Sequence, residues 1–64
     1  MSLDDILKQL KNGTSYEVNE NLQLIPWDTD TFKLYAVNLD EYFEEYDLSI
    51  EGVELAITDA NEED

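Results

Sequence analysis

The sequence predicts an α+β fold: an N-terminal helix packed on a three-stranded antiparallel meander, followed by one or two short acidic helices, with a strand as the alternative for the last element. Three observations lead there. Leu3, Ile6, Leu7 and Leu10 recur at the spacing of one helix face. Three short runs rich in aromatic and branched residues follow, separated by Asn- and Asp-containing turns. Then Leu39, Tyr42, Phe43 and Tyr46 again fall at i, i+3, i+4 and i+7, inside a stretch dense in carboxylates.

The first helix is expected over Leu3 to Asn12. Ser2 is a good N-cap, Asp5 completes a near capping box, and Gly13 supplies the left-handed stop. Asp4 and Asp5 lie at its positive end and Lys8 and Lys11 toward its negative end. Tyr16-Glu17-Val18 and Leu22 to Trp27 alternate as strands about an Asn19-Glu20-Asn21 turn, and Pro26 marks a strand end or an edge. After the polar turn Asp28-Thr29-Asp30-Thr31, a third strand runs from Phe32 to Val37. Short connections favour an antiparallel meander. Its inward set is Val18, Leu22, Leu24, Phe32, Leu34 and Ala36, with Trp27 and Phe43 added to the core and Tyr35 divided between core and surface.

Asn38 caps the expected acidic helix, with Glu41 at the capping-box position. Beyond Tyr46 two readings stand. Ser49 caps a helix that places Ile50, Val53 and Ile57 on one face, or Glu51-Gly52 turns a hairpin into a strand carrying Val53, Leu55 and Ile57; helix propensity tips the balance to the first. Residues 1–60 make one acidic domain, and 61–64 are expected to be a frayed tail.

Charge sets the function classes. Seventeen acids face three lysines, a net charge of −14, and from Asp40 onward there are eleven acids and no base. Nucleic acid and anionic membranes repel such a chain, so direct binding to either is not expected. A basic protein surface is the natural partner, and the commonest basic surfaces are those that hold DNA or RNA. Solubility alone asks for a net charge of magnitude roughly 2–8 in a small domain. A salt-loving source would also produce an acidic surface. With no apolar run long enough to span a bilayer and no charged-then-apolar leader, the expected location is the cytoplasm, as a monomer or a small homo-oligomer.

Catalysis finds little material. The chain has neither His nor Cys, the commonest general base and the strongest nucleophile. Glu44 and Glu45 as neighbouring carboxylates more simply face water. Asp28-Thr29-Asp30 opens like a calcium loop but lacks the Gly and the terminal Glu, so it reads as a turn in which Asp28 caps its own backbone. No catalytic residue, cofactor or metal site is expected. Trp27, Tyr35, Tyr42 and Tyr46 divide between packing and interface anchoring.

The carboxylates remain. On one helix face, acids about 5–6 Å apart approximate the repeat of phosphates along a strand and can engage Lys and Arg side chains through charge-assisted bonds. The expected partner-binding set is Asp40, Glu41, Glu44, Glu45, Asp47, Glu51 and Glu54, with Asp28 and Asp30 secondary. A solvated acidic face is the bland alternative for each.

Met1-Ser2-Leu3-Asp4-Asp5-Ile6-Leu7-Lys8-Gln9-Leu10-Lys11-Asn12, followed by Tyr16-Glu17-Val18, resembles the start of small prophage anti-CRISPR proteins. The resemblance lies in residues 1–18 and continues in element order and acidity. It implies a helix, three antiparallel strands and two acidic helices, and a surface that occupies the DNA site of a type II Cas nuclease where the PAM duplex binds. It assigns no individual contact residue. Two other functions fit the same charge: an acidic adaptor for a basic protein unrelated to nucleic acid, and an inhibitor of a repair enzyme such as uracil-DNA glycosylase.

Protonating the carboxylates removes their mutual repulsion, so acid is expected to compact the fold. The melting temperature is therefore expected to climb from neutral pH to about pH 5; a steady fall measured by circular dichroism would contradict this.

Overall fold

Ser2 opens the first helix as its sequence implies: its hydroxyl accepts from the Asp5 amide at 3.3 Å and donates to the Asp5 carboxylate at 3.1 Å. The computed structural model describes residues 2–63 of the chain. Helix α1 spans Leu3–Lys11 and ends at Asn12, after which Gly13 adopts a φ of 87°, the left-handed stop that a side chain would strain. Ile6 and Leu10 are buried, and Leu3 and Leu7 pack beside them.

Strands β1 (Tyr16–Asn19), β2 (Leu22–Asp28), β3 (Thr31–Ala36) and β4 (Glu41–Asp47) follow, and then helix α2 (Ile50–Glu63). The strands form one antiparallel meander in the order β1-β2-β3-β4. The fold is thus α+β with an N-terminal helix on a meander, and it has four strands where three were expected. The Asn19 side chain accepts from the Asn21 amide at 2.8 Å in the first turn, and Asp28 accepts from Thr29 at 2.7 Å in the second, the local caps their residue types favour. Pro26 sits in β2 beyond the residues that pair with β1, where a missing N–H is tolerated.

Both helices lie on one side of the sheet. Leu22, Leu24, Phe32, Leu34 and Ala36 point toward them and are buried, as is Tyr46 from β4; Val18 is half-buried at the margin. Val53, Ala56 and Ala60 complete the core from α2, with Ile57 packed alongside. The small alanines bring α2 close to α1 and β4, both of which it packs against. Burying each large apolar side chain contributes about 1.5–3 kcal/mol. Among the described residues no charged side chain is buried.

The expected acidic helix over residues 39–47 is a strand. Its helical spacing has a different origin. The β3–β4 register slips between Lys33 and Tyr35, so two residues of β4, Phe43 and Glu44, stand opposite Leu34 alone. The extra residue places Phe43 and Tyr46 on the same inner face three positions apart, a strand with a bulge that mimics a helix period. The strand also suits the acids better. A helix would stack Asp40/Glu44 and Glu41/Glu45 as like-charged neighbours about 5–6 Å apart, while an extended chain sets residues four apart at about 13 Å. Trp27, expected in the core, is 51% exposed on the uncovered face of the sheet. The last element is the helix favoured above, with Ser49 as its cap, accepting from the Gly52 amide at 3.1 Å. Ile50 stays largely outside the core. The helix continues through residues 61–63, which were expected to fray; Asp64 lies outside the described residues.

Gly52 sits where the start of α2 crosses the end of β4. A Cβ there would collide with the Asp47 carbonyl oxygen and approach the Asp47 carbonyl carbon at 3.0 Å. Helix propensity alone predicts that Gly52→Ala stabilises by about 0.5–1 kcal/mol. The backbone contact reverses the sign, and Gly52→Ala is expected to cost about 1–3 kcal/mol in urea denaturation.

Candidate interaction surface

Strand β4 is an edge of the sheet, and it carries Glu41, Glu44, Glu45 and Asp47. Its register with β3 decides where they point. Glu45 lies across from Lys33, Asp47 from Thr31 and Tyr42 from Tyr35, so all three share the uncovered face. Glu44, displaced by the bulge, turns to the helix side.

Tyr46 holds this arrangement in place. Its ring stacks on Phe32 with centroids 5.5 Å apart, and its hydroxyl donates to the Asp59 carboxylate at 2.6 Å. Burial, and then the Asp59 hydrogen bond, push the Tyr46 phenol well above its ordinary value. Two concavities flank Tyr46 along the seam between β4 and α2. One, of about 360 Å³, is lined by Leu34, Phe43, Glu44, Asp59 and Glu62 beside Tyr46. The other, of about 250 Å³, is lined by Glu45, Asp47, Glu51 and Leu55. Among the described residues six carboxylates thus border one seam.

All nine carboxylates singled out from the sequence are exposed. The structure brings Glu45, Asp47 and Glu51 together. The turn bearing Asp28 and Asp30 reaches the same corner, where the Asp30 carbonyl accepts from the Leu48 amide at 2.8 Å. Glu44 joins Asp59 and Glu62. Asp40 and Glu41 stand at the opposite end of β4; Asp40 takes a φ of 53° and accepts a hydrogen bond from the Tyr35 hydroxyl. That bond raises the Tyr35 phenol above its ordinary value. Glu54 lies on α2 and lines neither concavity. The carboxylates therefore follow a strand edge and a helix flank, with no single helical array.

Asp59 and Glu62 escaped sequence reasoning. Their signal was the alanine-containing stripe Val53, Ala56 and Ala60: extending that helix past residue 60 puts Asp59 and Glu62 one turn apart beside it. The uncovered face was also missed as a unit. Trp27 and Tyr42 meet at 5.1 Å between ring centroids, Tyr42 and Tyr35 at 4.8 Å, and the Lys33 ammonium lies 4.1 Å from the Trp27 centroid.

Among the described residues no helix is long and apolar enough to cross a membrane. No protein-family model, curated protein or solved structure matches the chain.

Because the folded state holds Tyr46 protonated, the stability this provides is present below the ordinary phenol range and lost as pH rises above about 10. Tyr46→Phe is expected to cost about 1–3 kcal/mol at neutral pH and to flatten the alkaline loss. Urea midpoints measured from neutral to alkaline pH check both effects.

Proposed function

We propose that this chain is an inhibitory binding protein whose carboxylates occupy a basic groove built for nucleic acid, in the manner of a DNA mimic. The observation that carries the proposal is the seam between β4 and α2, bordered by Glu44, Glu45, Asp47, Glu51, Asp59 and Glu62. Alternate residues of an extended strand stand about 6–7 Å apart, so an edge strand can offer charges at a spacing that lysines and arginines arrayed for a phosphate backbone can meet. Phosphate-binding side chains would engage these carboxylates by charge-assisted bonds, and the net charge of −14 would steer the encounter.

The target class follows from the resemblance of residues 1–18 to prophage anti-CRISPR proteins: a type II Cas nuclease in the cytoplasm of a bacterial host, blocked at its duplex-binding groove. The chain acts here as a binder and not as an enzyme. Asp28, Asp30, Asp47 and Glu51 form one end of the contact; Asp40 and Glu41 extend it along β4.

DNA cleavage by a type II Cas nuclease is expected to be inhibited by the purified protein, with potency falling about tenfold or more as salt rises from low to near-molar concentration. Glu44→Lys combined with Glu45→Lys should weaken inhibition by a similar factor. Potency indifferent to salt and to the double reversal would remove the electrostatic basis. Competing duplex should displace the protein from its target; a bound partner that duplex leaves in place would point to an adaptor instead.

A further inference from the structure

The uncovered face of the sheet holds a second feature that the acidic seam does not use. Both helices cover the other face, so Trp27, Tyr35 and Tyr42 form a continuous aromatic surface in water, with Trp27 51% and Tyr42 48% exposed. A cation already sits on it: the Lys33 ammonium lies 4.1 Å from the Trp27 ring centroid and 5.9 Å from that of Tyr42. Aromatic faces attract cations through their quadrupole, and the planar guanidinium of arginine stacks on them better than an ammonium does. Glu45 lies directly across from Lys33 in the strand register, and Asp47 follows on the same face.

We propose that this face is an arginine-binding surface, and that its occupant is an arginine-bearing segment of a basic protein partner. Lys33 marks the site from within. An incoming guanidinium stacks on Trp27 and Tyr42 and displaces the ammonium, which has Glu45 as its alternative partner. Charge complementarity selects this occupant. Seventeen acids against three lysines repel a second copy of the chain and a nucleic acid strand alike, although either could otherwise stack on exposed rings. The proposal rests on the partner being basic, as the seam also requires, and adds a selectivity that charge alone does not give.

Trp27 is the sole tryptophan and therefore reports on the site. The full chain is titrated with a peptide of alternating arginine and glycine, with its lysine counterpart of equal charge, and with oligothymidine, while Trp27 emission is followed. The arginine peptide is expected to change the emission and to bind about three- to tenfold more tightly than the lysine peptide. Tyr42→Leu should erase that preference and keep charge-driven binding. Lys33→Met should tighten arginine binding more than Lys11→Met, which makes the same charge change on α1, away from the face. Equal affinity for the two peptides with no change in emission overturns the proposal and leaves the acidic seam untouched, because inhibition of the nuclease is read separately. An emission change driven by oligothymidine, or by protein concentration alone, overturns it in favour of a nucleic acid strand or a second copy.

Discussion

Tyr46 is the tie on which the molecule depends. It is the residue through which the last strand enters the core, stacked on Phe32, and its hydroxyl reaches across to Asp59 on α2. A chain of this length buries a modest fraction of its surface, so one side chain that joins an edge strand, the sheet centre and a helix carries unusual weight. It also fixes the geometry of the charges around it. With Tyr46 inward, the bulge sends Glu44 to one side of the strand, and alternation sends Glu45 and Asp47 to the other. The acidic seam is the outer boundary of that internal contact.

Much of the fold was legible in the sequence because local and global preferences agree over its first half. The cap at Ser2, the stop at Gly13, the Asn and Asp turns and the inward set of β2 and β3 each followed from a residue type in its expected place. The second half misled for identifiable reasons. Leu39, Tyr42, Phe43 and Tyr46 carry a helical spacing, yet Leu39 and Tyr42 are exposed and only Phe43 and Tyr46 face inward, brought together by a bulge. A one-residue insertion in a strand cannot be told from a helix period over so short a run. Trp27 is expected in the core because a thin core more often uses its aromatics for packing, and that says nothing about which face of a sheet is left uncovered.

The candidate acids were legible as a set and not as an arrangement. Composition identifies carboxylates beyond any need of folding, and each of the nine proved exposed. Their grouping depends on long-range pairing: Asp30 meets the end of β4 through Leu48, and Glu44 meets Asp59 and Glu62 only because α2 returns alongside the edge strand. Contacts of that kind leave no local mark. The aromatic face is similar, since Trp27 and Tyr42 are distant in sequence and meet across two strand pairings.

The position of β4 at the sheet border has one more consequence. A seven-residue strand with three aromatic rings at the edge of a sheet is a template for the addition of further chains, the route to fibrils. Four carboxylates on that strand act as gatekeepers. A second identical strand arriving alongside would align acid against acid, so the border refuses its own kind. The same side chains that would hold a partner thus keep the protein from polymerising.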